Sequence, residues 1–190
     1  MPRRKNEFIG GGYYHVYNRG AGRQSIFLTD AHYRHCLRLV QRYRVRYAVT
    51  VIVYCLMPNH YHFLLRQDVD IPISRFVGAL FNAYAQAFNR EQRRTGTLFE
   101  GRFKHVAVTE DLYLRHLCRY IHVNPMAAGL VATPEAWPYS NYQEWMGLRD
   151  GTLVDRRFIE QFWPTSADYR AFIAEPVTMP EGFVLADRLT

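Results

Sequence analysis

Two strand-forming runs meet head to tail in the middle of the chain, and they constrain its fold more than any other feature. Residues 47–56 (YAVTVIVYCL) are almost wholly apolar and rich in β-branched side chains, the pattern of a strand buried on both faces. Pro58-Asn59 then supplies turn chemistry, and residues 60–65 (HYHFLL) resume the apolar run. The two runs are expected to form an antiparallel hairpin. Side chains alternate faces along a strand, so His60 and His62 point one way and Tyr61 the other. Two imidazoles on one rigid element are half of a divalent-metal site. Without a third donor they read equally as two buried polar rings.

The rest of the chain is placed around this hairpin. Residues 13–18 (YYHVYN) are aromatic and β-branched, a first strand on which His15 shares a face with Tyr13 and Tyr17. His15 reads as a packed residue rather than a ligand. A helix capped by Thr29 or Asp30 runs to about Arg44, with Tyr33, Cys36, Leu37 and Val40 at helical spacing and arginines on a solvated face. A second helix covers residues 72–94, with Phe76, Leu80, Tyr84 and Phe88 on one face. A strand at 105–108 precedes a helix over 112–124, expected to stop before Pro125 because residues preceding proline disfavour helical angles.

The order strand, helix, strand, strand, helix, strand, helix predicts an α+β fold: a ferredoxin-like βαββαβ antiparallel sheet with helices on one face. Strands 13–18 and 60–65 are expected at its centre, and the 112–124 helix can lie across the sheet beside the histidines. Residues 1–12, which include Pro2-Arg3-Arg4-Lys5, read as a flexible basic arm and residues 13–133 as a catalytic domain. Residues 134–190 read as a C-terminal helical extension that packs back on the domain, with short helices at 155–162 and 166–174 and a loose tail from 179.

Length and charge narrow the function. A chain of 190 residues fits one domain of ordinary size. Lysine plus arginine exceed aspartate plus glutamate by 24 − 17 = 7 and the pI is about 9.5, so an anionic partner is expected. Arginine suits bidentate phosphate contacts, and an aromatic share of 15% offers stacking surfaces for unpaired bases. Cys36, Cys55 and Cys118 are odd in number and form no C-x-x-C, so they read as reduced thiols of a cytoplasmic protein. No run reaches the roughly 18 apolar residues of a membrane span.

Tyr120 and Asn124 stand four residues apart and so share one face of the 112–124 helix. Asn124 can give an amide oxygen as the third ligand to a cation held by His60 and His62. With three neutral ligands the ion keeps its full double charge, which suits polarising a phosphodiester. Mg²⁺ or Mn²⁺ is expected ahead of zinc, because an amide donor and open positions favour harder cations. Tyr120 would be the nucleophile. Phenol, with a pKa of about 10, is a weak attacker but a tolerable leaving group, so a phosphotyrosine link keeps the energy of the cleaved bond.

Three ordered segments, His60-Tyr61-His62, residues 96–104 (GTLFEGRFK) and residues 120–131 (YIHVNPMAAGLV), together resemble the single-tyrosine HUH transposases. Residues 137–142 (WPYSNY) through Gly147 resemble the subgroup called REP-associated tyrosine transposases. The resemblance spans residues 13–174. It implies metal-dependent nicking and strand transfer of single-stranded DNA through a 5′-phosphotyrosine intermediate, with His60 and His62 as the metal pair and Tyr120 as the nucleophile. Insertion-sequence members usually carry glutamine at the helical ligand position. Asn124 is one methylene shorter, as in the REP-associated subgroup, and His122 or a water is the alternative donor. The subgroup recognises imperfect DNA hairpins and is monomeric, whereas insertion-sequence members form homodimers that exchange the tyrosine helix.

Arg19, Arg23, Arg102 and Lys104 are the candidate phosphate contacts to single-stranded or hairpin DNA. Two other readings compete: a hydrolytic nuclease in which the metal activates water and leaves no covalent intermediate, and a non-catalytic hairpin DNA- or RNA-binding protein. The segment Gly101-Arg102-Phe103-Lys104 lacks the interleaved aromatics of an RNA-stacking strand, which ranks the last reading lowest.

Overall fold

The computed structural model describes residues 8–175. The expected basic run Pro2-Arg3-Arg4-Lys5 and the tail from residue 179 lie outside the described residues. In chain order the main elements are β1 (Tyr13–Arg19), α1 (Asp30–Tyr47), β2 (Val49–Met57), β3 (His60–Gln67), α2 (Ile73–Glu91), β4 (Lys104–Val108) and α3 (Asp111–Ala127). Three short helices follow: α4 (Tyr142–Trp145), α5 (Arg156–Phe162) and α6 (Ser166–Ala174).

The four strands form one antiparallel sheet in the order β2-β3-β1-β4, so the first strand and the histidine strand are central as the sequence predicts. Alternation along β3 sorts its residues cleanly. Tyr61, Phe63 and Leu65 join the core beneath α1 and α2, where the Tyr61 ring stacks on Phe81 at 3.8 Å. Leu64 faces the opposite way and joins a second core with Leu114, Leu117, Cys118 and Ile121 of α3. The helices α1 and α2 thus share one face, and α3 with the segment behind it covers the face that carries the histidines.

Strand β2 carries a bulge between Val51 and Val53. The extra residue breaks the two-residue period, so Val49, Val51, Tyr54 and Leu56 serve the first core while Ile52, Val53, Cys55 and Met57 serve the second. It also leaves the Ile52 carbonyl out of the ladder, where it accepts from Asn141 Nδ2 at 2.8 Å and Trp145 Nε1 at 3.3 Å. This outer edge is then covered. The Leu56 amide donates to the Tyr139 carbonyl, Ser140 bridges Cys55, and Trp137 Nε1 donates to the Leu56 carbonyl. A sheet edge left bare would be a template for unwanted pairing.

Helix α3 departs from expectation at its end. It does not stop before Pro125 but continues to Ala127 with Pro125 buried inside it. Proline removes one donor, not an acceptor. The Asn124 carbonyl accepts from Ala128 N and the Pro125 carbonyl from Leu130 N, so the last turn closes around the ring.

Candidate active site

The site forms where β1, β3 and α3 meet. His60 and His62 lie on the α3 side of the central strand, with ring centroids 5.1 Å apart and both side chains buried. The Tyr120 ring sits edge-on to His62 at 5.4 Å and to His15 at 6.5 Å. Asn124, one helical turn on, is 6% exposed, and its amide acts on the His60 ring. The structure thus brings His60 and His62 of β3 and Tyr120 and Asn124 of α3 to one place.

Each ring is aimed by a partner on its other nitrogen. His60 Nδ1 lies 2.7 Å from Asn59 Oδ1, which can only accept, so His60 carries its proton on Nδ1 and keeps a lone pair on Nε2. His62 Nδ1 lies 3.0 Å from His15 Nε2. The tautomer that donates from His62 to His15 leaves His62 Nε2 with its lone pair as well. Asn59 is held in turn, since its carbonyl accepts from Gly20 N at 2.8 Å while the Pro58 carbonyl accepts from Ile26 N and Phe27 N. A Cβ at Gly20 would stand 2.0 Å from the Gln24 carbonyl oxygen, so only glycine fits there.

Burial keeps these imidazoles neutral. It lowers the pKa of His15 to about 3 and that of His60 to about 4, where the Asn124 amide opposes the shift and the Arg19 charge adds to it. His62 is driven well below the ordinary range by burial first, then by its two neighbouring histidines. Neutral imidazole is the metal-binding form. The fit to a divalent cation rests on three atoms: His60 Nε2, His62 Nε2 and Asn124 Oδ1 are buried polar atoms that meet no partner at full hydrogen-bond geometry, Asn124 lying near enough to His60 only to influence its ring. Orphaned buried acceptors are uncommon and each costs roughly 1–3 kcal/mol. Among the described residues no group of three or more His, Cys, Asp or Glu side chains could hold a metal ion, and the side chain that joins the histidine pair here is the amide of Asn124. His122 is engaged elsewhere: its Nε2 meets Asn141 Oδ1 at 3.0 Å and its Nδ1 meets the Tyr169 hydroxyl at 2.7 Å.

The cationic candidates divide. Arg19 lies opposite His60 in the sheet register and forms a two-pronged ion pair with Glu100. Lys104 lies opposite Tyr17 on the edge strand, and both Lys104 and the exposed Arg23 act on the Glu100 carboxylate, whose pKa is lowered chiefly by its hydrogen bond to Arg19. Arg102 is exposed on the loop before β4. Sequence reasoning missed His15 as the partner of His62, Asn59 as the residue that orients His60, and Glu100 at the centre of the cations. His15 carried a clue in its shared face with Tyr13 and Tyr17, but its partner lies 47 positions away.

A four-stranded antiparallel sheet with a helix laid over a central histidine pair defines the class, and comparison with known proteins agrees. The family described as "Transposase IS200 like" matches residues 9–124, more than half of the chain. The chain belongs to the IS200-like transposases, and so to the enzymes that cleave DNA and transfer strands. No curated protein matches it. Among solved structures, a REP-associated tyrosine transposase bound to a REP hairpin is 20% identical with a TM-score of 0.67, covering 82% of this chain and 94% of the other. A tRNA(His) guanylyltransferase from Saccharomyces cerevisiae is 9% identical with a TM-score of 0.48, covering 92% of this chain and 76% of that one. The first of these shows a shared fold. Among the described residues no helix is long and apolar enough to cross a membrane.

Proposed function

We propose that this chain nicks and rejoins single-stranded or hairpin DNA through Tyr120, with Mg²⁺ or Mn²⁺ held by His60, His62 and Asn124, as a REP-associated tyrosine transposase. The observation that carries the reading is the set of three buried, unsatisfied polar atoms, His60 Nε2, His62 Nε2 and Asn124 Oδ1, with the Tyr120 ring edge-on to His62. A bound divalent ion would polarise the scissile phosphodiester and offset charge on its pentavalent transition state.

The protein's own groups do the rest. Tyr120 Oη gives up its proton and attacks phosphorus; the bond from phosphorus to the 3′ oxygen breaks, and that oxygen leaves carrying a proton. The product is a 5′-phosphotyrosine diester and a free 3′-hydroxyl, and attack by such a hydroxyl reverses the step without ATP. His15 and Asn59 hold the imidazoles, while Arg19, Arg23, Arg102 and Lys104 contact phosphates. Residues 13–133 serve as the catalytic unit and residues 134–190 as its extension. A monomer working in the cytoplasm fits the reduced, buried Cys36, Cys55 and Cys118 and a tyrosine that already faces the histidines of its own chain.

The test is a hairpin oligonucleotide from the chromosomal repeat nearest the gene, incubated with Mn²⁺ and resolved under denaturing conditions. Wild type should give a protein–DNA adduct and Tyr120→Phe none, with hairpin binding intact in both. Cleavage to a free 5′-phosphate without an adduct would mean a hydrolytic nuclease instead.

A further inference from the structure

Helix α3 presents two working faces. Tyr120 and Asn124, four residues apart, look toward the histidines. Arg115, Arg119 and His122, at spacings of four and three, look toward the segment that follows the helix. The Arg119 guanidinium is buried, donates to the Phe172 carbonyl at 2.9 Å and lies over the Phe172 ring at 4.7 Å. Arg115 lies over Trp163 at 5.5 Å.

His122 is tied more firmly still. It has no exposed surface, and both ring nitrogens are engaged. Asn141 Oδ1 accepts from His122 Nε2, so His122 Nδ1 must accept from the Tyr169 hydroxyl. Asn141 is itself fixed: its Oδ1 also accepts from Tyr54 N, and its Nδ2 donates to the Ile52 and Leu153 carbonyls. The rings of Tyr142 and Trp145 close on His122 edge-on at 5.4 and 5.1 Å. Any roll or slide of α3 would separate a buried donor from a buried acceptor, which is costly.

We propose that His122 is a positioning residue: gripped by Asn141 on the sheet edge and Tyr169 on α6, it sets the rotation at which α3 delivers Tyr120 and Asn124 to the histidine pair. This rests on the reading of Tyr120 as the nucleophile. Displacement of a reacting atom by about 1 Å can lower a rate some 100-fold, so the effect belongs in the rate and not in DNA affinity.

The test uses Tyr169→Phe, which keeps the packed ring but removes the hydroxyl, with His122→Ala and His122→Gln, whose NH2 can donate to Asn141 and whose carbonyl can accept from Tyr169. Single-turnover adduct formation on the hairpin oligonucleotide with Mn²⁺ should fall at least tenfold in Tyr169→Phe and His122→Ala and return to within threefold of wild type in His122→Gln. Hairpin Kd should stay within twofold throughout. Unchanged rates, or losses of rate matched by equal losses of hairpin affinity, would overturn the proposal. Should wild type itself form no adduct, the nucleophile reading fails. Amide hydrogen exchange then decides the clamp: faster exchange in residues 118–127 of the variants supports it, and unchanged exchange overturns it.

Discussion

His15 Nε2 lies 3.0 Å from His62 Nδ1, with both rings buried and nearly stacked at 5.3 Å. The contact couples the tautomers of a histidine on β1 and one on β3: donation from His62 to His15 leaves the His62 Nε2 lone pair available. Replacing His15 with leucine should leave the sheet intact but let the His62 ring change tautomer and tilt. Outer partners of this kind are worth about 10- to 100-fold in metal affinity. Calorimetric titration of Mn²⁺ into the protein should show a loss of that size for His15→Leu, while hairpin binding in EDTA is unaltered. Equal Mn²⁺ affinity would show that His15 only fills space.

Asn124→Ala separates stability from activity. The substitution removes a buried oxygen without a partner, so metal-free thermal stability should stay within about 1 kcal/mol of wild type, the lost packing being offset by relief of the orphan. Metal-dependent cleavage should drop at least tenfold. A large fall in melting temperature together with normal cleavage would contradict both parts.

Acid should destabilise the metal-free protein early. The folded-state pKa lies near 3 for His15 and near 4 for His60 and His122, below the ordinary 6.5, in each case chiefly through burial. The unfolded chain therefore takes up these protons first. Stability is fully present above about pH 6.5 and is lost as pH falls toward the folded values, by up to about 1.4 kcal/mol per pH unit for each histidine. Urea denaturation in EDTA should show a lower midpoint at pH 5 than at pH 7. A flat profile would mean that the rings charge without unfolding.

Gly20→Ala should be disruptive although Gly20 itself has φ of −63°. The conflict is steric, a Cβ 2.0 Å from the Gln24 carbonyl oxygen. Overpacking of this kind costs about 1–3 kcal/mol, and the strain falls on the loop that anchors Asn59. Both the melting temperature and Mn²⁺ affinity should decline. Loss of neither would show that the loop accommodates the methyl group.

Arg23→Ala and Arg102→Ala should each weaken hairpin binding about equally for all sequences and flatten the salt dependence by roughly 0.7–0.9 in log–log slope. Arg19→Ala should do more, because it also frees Glu100, an acidic group next to the expected DNA path. Titrations at several salt concentrations distinguish these from base-reading contacts, which would change sequence preference.

Periodicity made the sheet legible. The alternation His60, Tyr61, His62 placed two imidazoles on one face before any tertiary contact was known, and the spacing of Tyr120 and Asn124 did the same on α3. What periodicity could not supply were contacts between distant positions. Glu100 neutralises Arg19 from 81 positions away, and Asn141 finds His122 and Ile52 only because the chain returns along the β2 edge. The bulge hides inside a uniformly apolar run, where an inserted residue changes the phase without changing the composition. Pro125 misled for another reason: it removes only its own donor, and the amides of Ala128 and Leu130 in the next turn still satisfy the Asn124 and Pro125 carbonyls.

The bulge at Ile52 gives the molecule a dependence that its chemistry alone would not reveal. Deleting that one residue would restore a regular ladder and withdraw the carbonyl on which Asn141 and Trp145 rest. A tidier strand would thus deprive the segment behind α3 of its anchor while leaving His60, His62, Tyr120 and Asn124 untouched.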